Sequence, residues 1–174
     1  MSGNHHLYVP GPSNVPAAVQ QAIHCPMEDH RNPTIPGLIT PLIEDLKKIV
    51  LTEKGKVVFF PSSGTGCWEA ALQSTLNIGD TVLGASFGQF SMLWLDMCTR
   101  LQFKAITMDE EWGTGANPES YHRELSKDKE HKIKAVLVCQ NETATGVRSD
   151  VLAIRKVLDD LNHPALLMVD GVSS

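Results

Sequence analysis

No apolar run in the 174-residue sequence approaches the ~20 residues that a membrane-crossing helix needs, so the pattern holds no such helix. The start, MSGNHHLYVPGP, has no basic segment followed by an apolar one and so does not read as a secretory leader. Lysines and arginines nowhere gather into a basic patch, and the net charge of -5 argues against a nucleic-acid surface. The four cysteines, Cys25, Cys67, Cys98 and Cys139, show no C-x-x-C spacing. They read as reduced, mostly buried thiols of an intracellular protein rather than as a disulfide frame or zinc site. His24, Cys25, Glu28, Asp29 and His30 lie close in sequence, but Pro26 breaks any regular helix that would align them, and no metal template fits; we expect no metal. Both common nucleotide signatures, G-x-x-x-x-G-K-[ST] and G-x-G-x-x-G, are missing as well.

With 42% apolar and 20% charged residues, the composition is that of an ordinary globular protein. Residues 1–37 carry Pro10, Pro12, Pro16, Pro26, Pro33 and Pro36, which predicts an extended arm with one short helix near Ala17 to Ile23. Leu38, Ile39, Leu42, Ile43, Leu46, Ile49 and Val50 then recur at three- and four-residue steps, one apolar face of a helix that stops near Gly55. We therefore divide the chain into an arm and helix over 1–50 and a larger unit over 51–174.

Beyond that point short apolar strands alternate with helices. Strands are predicted at 57–60, 81–86, 104–109, 133–140 and 165–170, with helical patterns between them. Strands that are apolar throughout, rather than at every second residue, are buried on both faces. The predicted fold class is α/β, a mostly parallel sheet with helices on both faces.

Ligands of such sheets sit beyond the carboxyl ends of the strands. The loops there are PSSGTG, FGQF, the segment after residue 109, NETATGV and DGVSS, most of them short and rich in Ser, Thr, Gly or Asn. In PSSGTG, Ser63, Gly64 and Thr65 precede a helix. Its first N–H groups are unpaired and its dipole is positive there, which suits a small phosphate ester. A tight turn with no ligand is the alternative. Asp170 ends an apolar strand. Beside a phosphate cradle, its carboxylate could pair with a protonated ring nitrogen, the requirement of an electron-sink pyridine cofactor. Phe90 could stack on a flat ring, or simply pack in the core, and Thr143 could hydrogen-bond a cofactor or its own backbone.

The segments VPGPSNVP, EDHRNP, FPSSGTGCWEAAL, FGQFSMLW, NETATGV and HPALLMVDGVSS, in this order, resemble the class V pyridoxal-phosphate aminotransferases. Within that family they look most like the serine–glyoxylate and alanine–glyoxylate enzymes. The resemblance implies a fold-type I large domain and pyridoxal 5'-phosphate as cofactor. It implies a homodimer acting on an amino acid and a 2-oxo acid, cytoplasmic in a bacterium and peroxisomal in a plant or alga. By position it implies that Ser63, Gly64 and Thr65 hold the phosphate. Phe90 would stack on the pyridine ring and Val172 on its other face, Thr143 would lie near the ring oxygen, and Asp170 would meet the ring nitrogen. Pro10 and Gly11 match a segment lining the substrate pocket.

The family's Schiff-base lysine follows the aspartate by a few tens of residues, and here the last lysine is Lys156, upstream of Asp170. We therefore expect a truncated chain without the C-terminal small domain, inactive by itself. Two other readings are a cysteine desulfurase-like lyase, whose histidine would replace Phe90, and a non-catalytic product acting only as a dimer partner.

Overall fold

The computed structural model describes residues 6–9, 11 and 13–174 of the chain; Pro10, one of the expected substrate-pocket residues, lies outside them. Two compact units emerge, Met1–Pro61 and Ser62–Ser174.

In the first unit α1 spans Ala17–Ile23, as the proline spacing predicts. Helix α2 spans Ile35–Ile49, starting earlier than the apolar period because Pro36 stands in its first turn, where a missing N–H costs nothing. On its polar side Lys47 and Lys48 pair with Glu44 and Asp45 one turn back. Residues 57–60 form no strand. Val58, Phe59 and Phe60 are exposed, and no segment among the described residues offers them a ladder. β-Branched and aromatic residues favour a strand, but a strand exists only where a partner completes its hydrogen bonds.

The second unit carries the sheet. Helix α3 (Gly64–Thr75), strand β1 (Thr81–Ser86), helix α4 (Gln89–Arg100), strand β2 (Lys104–Asp109), helix α5 (Pro118–Lys127) and strand β3 (Ile133–Cys139) follow in turn. A two-residue hairpin, β4 (Asn141–Glu142) with β5 (Val147–Arg148), interrupts the loop predicted at NETATGVRS. Helix α6 (Val151–Asp160) and strand β6 (Leu166–Asp170) complete it. Asp150 caps α6 by accepting the Ala153 N–H at 2.9 Å, and Asn117 caps α5 through the Glu119 N–H.

The four long strands are parallel in the order β2-β1-β3-β6. Val82 to Ala85 of β1 and Ala135 to Cys139 of β3 are buried without interruption, as expected for central strands covered on both faces. Trp68 of α3 stacks on Trp94 of α4, ring centroids 5.4 Å apart at 12°. Tyr121, Leu125, Ile154 and Leu158 bury the apolar stripes of α5 and α6.

The order reverses between β1 and β3, the switch point at which open α/β sheets form a crevice. The β1–β3 ladder ends at Gly84↔Leu137, whereas β1–β2 runs on to Ser86↔Asp109 and β3–β6 to Cys139↔Asp170. The fully buried Tyr121 fills the fork. Its hydroxyl accepts the Ala85 N–H at 3.1 Å and donates to the Leu137 carbonyl at 2.9 Å. The two backbone groups that would otherwise be stranded as the strands part are satisfied by one phenol.

Candidate active site at the carboxyl edge of the sheet

Parallel strands deliver all their carboxyl ends to one edge, so the loops after β1, β3 and β6 and the start of α3 meet there. Ser63 is the N-cap residue of α3 in extended conformation, and its hydroxyl caps nothing. Gly66 N–H bonds back to Ser63 O at 3.0 Å. The N–H groups of Gly64 and Thr65 have no partner among the described residues. A helix start with open N–H groups, flanked by two free hydroxyls, is the physical requirement for holding an anion.

Gly64 also faces the loop after β6. A Cβ there would stand 2.6 Å from Cγ2 of Val172, so only glycine lets the two segments come this close. The structure therefore brings the Ser63–Thr65 turn against Val172. Asp170 lies between them in chain terms and is held from two sides. Its Oδ2 accepts the Trp68 indole N–H at 3.1 Å, and its Oδ1 accepts the Val172 N–H at 2.9 Å. The Cys139 thiol points to Oδ2 at 4.0 Å. Burial first, and the carboxylates of Asp170 and Glu142 second, push that thiol far above its ordinary range, so it stays protonated and is no nucleophile.

The loop after β3 joins the same cluster. Thr143 Oγ1 lies 2.6 Å from Ser173 Oγ, and Ser174 donates to Asn141 at 3.2 Å. Phe90 stands in the first turn of α4 with 36% of its surface exposed, beyond β1. Ser63, Gly64, Thr65, Thr143, Asp170 and Val172 thus come together through contacts, and Phe90 is tied to them through Glu142, as follows. Gly11 belongs to the other unit, where it is exposed and a Cβ would meet nothing within 4 Å. Lys156 is 72% exposed on α6 and paired with Asp160 at 2.6 Å.

Sequence reasoning passed over Trp68 and Glu142. Trp68 stands four residues after Gly64 in a run that reads simply as an apolar helix face. Glu142 is 0% exposed and uncharged partners surround it. Its carboxylate accepts the N–H of Phe90 (3.2 and 3.1 Å to the two oxygens), of Ser91 (2.9 Å) and of Ala144 (3.1 Å). A signal existed: an acidic residue inside a short Ser/Thr/Gly-rich loop after an apolar strand. Its target, however, is 52 residues away in sequence. Among the described residues no three His, Cys, Asp or Glu side chains are grouped to hold a metal ion, and no helix is long and apolar enough to cross a membrane.

Known proteins resemble the chain from end to end. The chain is 58% identical over 174 residues to the serine–glyoxylate aminotransferase of Hyphomicrobium methylovorum, covering all of this chain and 43% of that protein. Over its whole length the sequence is similar to the first part of a serine–glyoxylate aminotransferase. It is also 44% identical over 174 residues to the L-aspartate–glyoxylate aminotransferase of Paracoccus denitrificans, again over all of this chain and 44% of the relative. The crystal structure of a ureidoglycine–glyoxylate aminotransferase from Bacillus subtilis superposes with a TM-score of 0.87 at 26% identity, over 100% of this chain and 44% of that one. No protein-family model matches the chain. The chain spans less than half the length of these aminotransferases.

Proposed function

We propose that the full-length protein containing this segment is a pyridoxal-phosphate-dependent aminotransferase with glyoxylate as amino acceptor and serine as the first-choice donor. The observation that carries this is the 58% identity, over the whole chain, to a serine–glyoxylate aminotransferase. The three similar aminotransferases named above differ in amino donor and share glyoxylate, which makes the acceptor the firmer half of the proposal. The homodimer implied by the family resemblance belongs to the same proposal.

The residues at the carboxyl edge suit the cofactor. The open N–H groups of Gly64 and Thr65, with the hydroxyls of Ser63 and Thr65, would bind the phosphate. Asp170 would keep the ring nitrogen protonated, its carboxylate aimed by Trp68 and by the Val172 N–H. Phe90 and Val172 would hold the ring from its two faces, and Thr143 would meet its oxygen edge. When bound, the cofactor supplies an electron sink for the bonds at the substrate's α-carbon. Proton transfer at that carbon needs a base, and Lys156 does not supply it, being exposed and paired with Asp160.

The test is a glycine-formation assay on the full-length protein with glyoxylate and, in turn, serine, alanine and aspartate. Cofactor-dependent glycine formation, fastest with serine, is expected. Glycine formation that is absent, or unaffected by removing pyridoxal 5'-phosphate, would overturn the proposal.

A further inference from the structure

Helix α4 begins without a cap of its own. Gly88 at its N-cap has no side chain, yet the N–H groups of Phe90 and Ser91, at the second and third helical positions, are the ones an N-cap side chain normally accepts. Glu142 does this from across the sheet edge. One carboxylate oxygen takes the Ser91 N–H at 2.9 Å, and both oxygens share that of Phe90. The same carboxylate takes the Ala144 N–H at 3.1 Å, closing its own loop. Ser91 completes the turn, accepting the Phe87 N–H at 3.1 Å and donating to the Gly88 carbonyl at 3.0 Å.

The fit is close. A Cβ on residue 88 would lie 2.2 Å from Cγ and 2.4 Å from Cδ of Glu142. The backbone at Gly88 is extended, with φ 177 and ψ -174, a conformation open to any residue. Glycine is required there for the approach of the glutamate, not for backbone freedom. A buried carboxylate that faces only backbone donors is costly unless every one is in place, so the two loops hold each other in one arrangement.

We propose that Glu142 is a positioning residue for the cofactor ring. By clamping the Phe90 and Ser91 amides it sets the height and angle of the Phe90 ring over the site. By closing its own loop it places the neighbouring Thr143 against Ser173. This deepens the cofactor reading above and rests on it.

The experiment uses the full-length protein and two readouts: amide hydrogen exchange across residues 87–92 and the Kd for pyridoxal 5'-phosphate from tryptophan quenching. Glu142→Gln keeps one acceptor oxygen but turns the other into a donor facing an N–H. It is expected to speed exchange at Phe90 and Ser91 and to weaken cofactor binding by about tenfold, the scale of one charge-assisted hydrogen bond. Gly88→Ala leaves the carboxylate intact but displaces it, and is expected to act in the same direction; it serves as the second route should Glu142→Gln fail to fold. In a Phe90→Ala background the Glu142→Gln change should cost clearly less in Kd than it does in the wild type, because only the route through Thr143 remains. An unchanged Kd in Glu142→Gln, or the same loss with and without the Phe90 ring, would overturn the positioning role. A wild-type protein that does not bind pyridoxal 5'-phosphate would instead overturn the cofactor reading on which it stands.

Discussion

Replacing Tyr121 by phenylalanine removes one oxygen from the point at which the sheet divides. The ring stays, so no large cavity opens, and the effect isolates the hydroxyl. That hydroxyl accepts from Ala85 N at 3.1 Å and donates to Leu137 O at 2.9 Å, in a side chain that is 0% exposed. Without it a buried N–H is stranded, at about 1–3 kcal/mol, and the Leu137 carbonyl loses a bond worth about 1 kcal/mol. Part of this is returned because the phenol no longer has to leave water. The net destabilisation should be about 2 kcal/mol, a fall in Tm of roughly 4–8 °C for a chain of this size. Urea unfolding, with its midpoint lowered and its slope unchanged, measures it. Tyr8 is 93% exposed, and the same substitution there should stay within about 0.5 kcal/mol. A Tyr121→Phe protein as stable as wild type would contradict this role of the phenol, because it would mean that the strands close, or water enters, where the hydroxyl bridges them.

Other outcomes follow from the same residues. Asp128 accepts the N–H groups of Ile133 at 2.7 Å and Lys132 at 2.9 Å, and faces His163 at 3.3 Å. Burial opposes its ionisation, but these donors together outweigh burial and hold its pKa below the usual aspartate range. The native carboxylate therefore takes up a proton less readily than the unfolded one. Its stabilisation is complete above about pH 4 and is lost as pH falls through the depressed native value. Denaturation midpoints of wild type and Asp128→Asn should converge between roughly pH 5 and pH 2; a constant difference would contradict this. For the thiols, Cys98 is buried and pushed up to about 12 by that burial, and Cys139 is raised further by burial and by Asp170 and Glu142. Cys25 and Cys67 are exposed. A thiol-specific reagent at mildly alkaline pH should label Cys25 and Cys67 in the native protein and reach Cys98 and Cys139 only after unfolding. Equal labelling of all four would show that the core is open.

What the sequence made legible follows from the kind of interaction involved. The strands at 81–86 and 104–109 and the arm helix coincide with the observed elements, although only the first is a buried run: β2 has a single buried residue and α1 has none. Residues 57–60 were equally apolar and formed no ladder, since side-chain preference says nothing about whether a partner strand is at hand. The loops that gather at the sheet edge could be named in advance, because a parallel sheet sends all its carboxyl ends one way. Trp68 and Glu142 could not. Trp68 works on Asp170 from 102 residues away and Glu142 on Phe90 from 52, and neither pairing leaves a periodic mark on the chain.

The decisive measurement is a structure of the full-length protein with pyridoxal 5'-phosphate bound. The phosphate should lie within hydrogen-bond distance of the Gly64 and Thr65 N–H groups, the ring between Phe90 and Val172, and the ring nitrogen on Asp170. A cofactor bound elsewhere, or bound at this edge with its phosphate away from the start of α3, would contradict it.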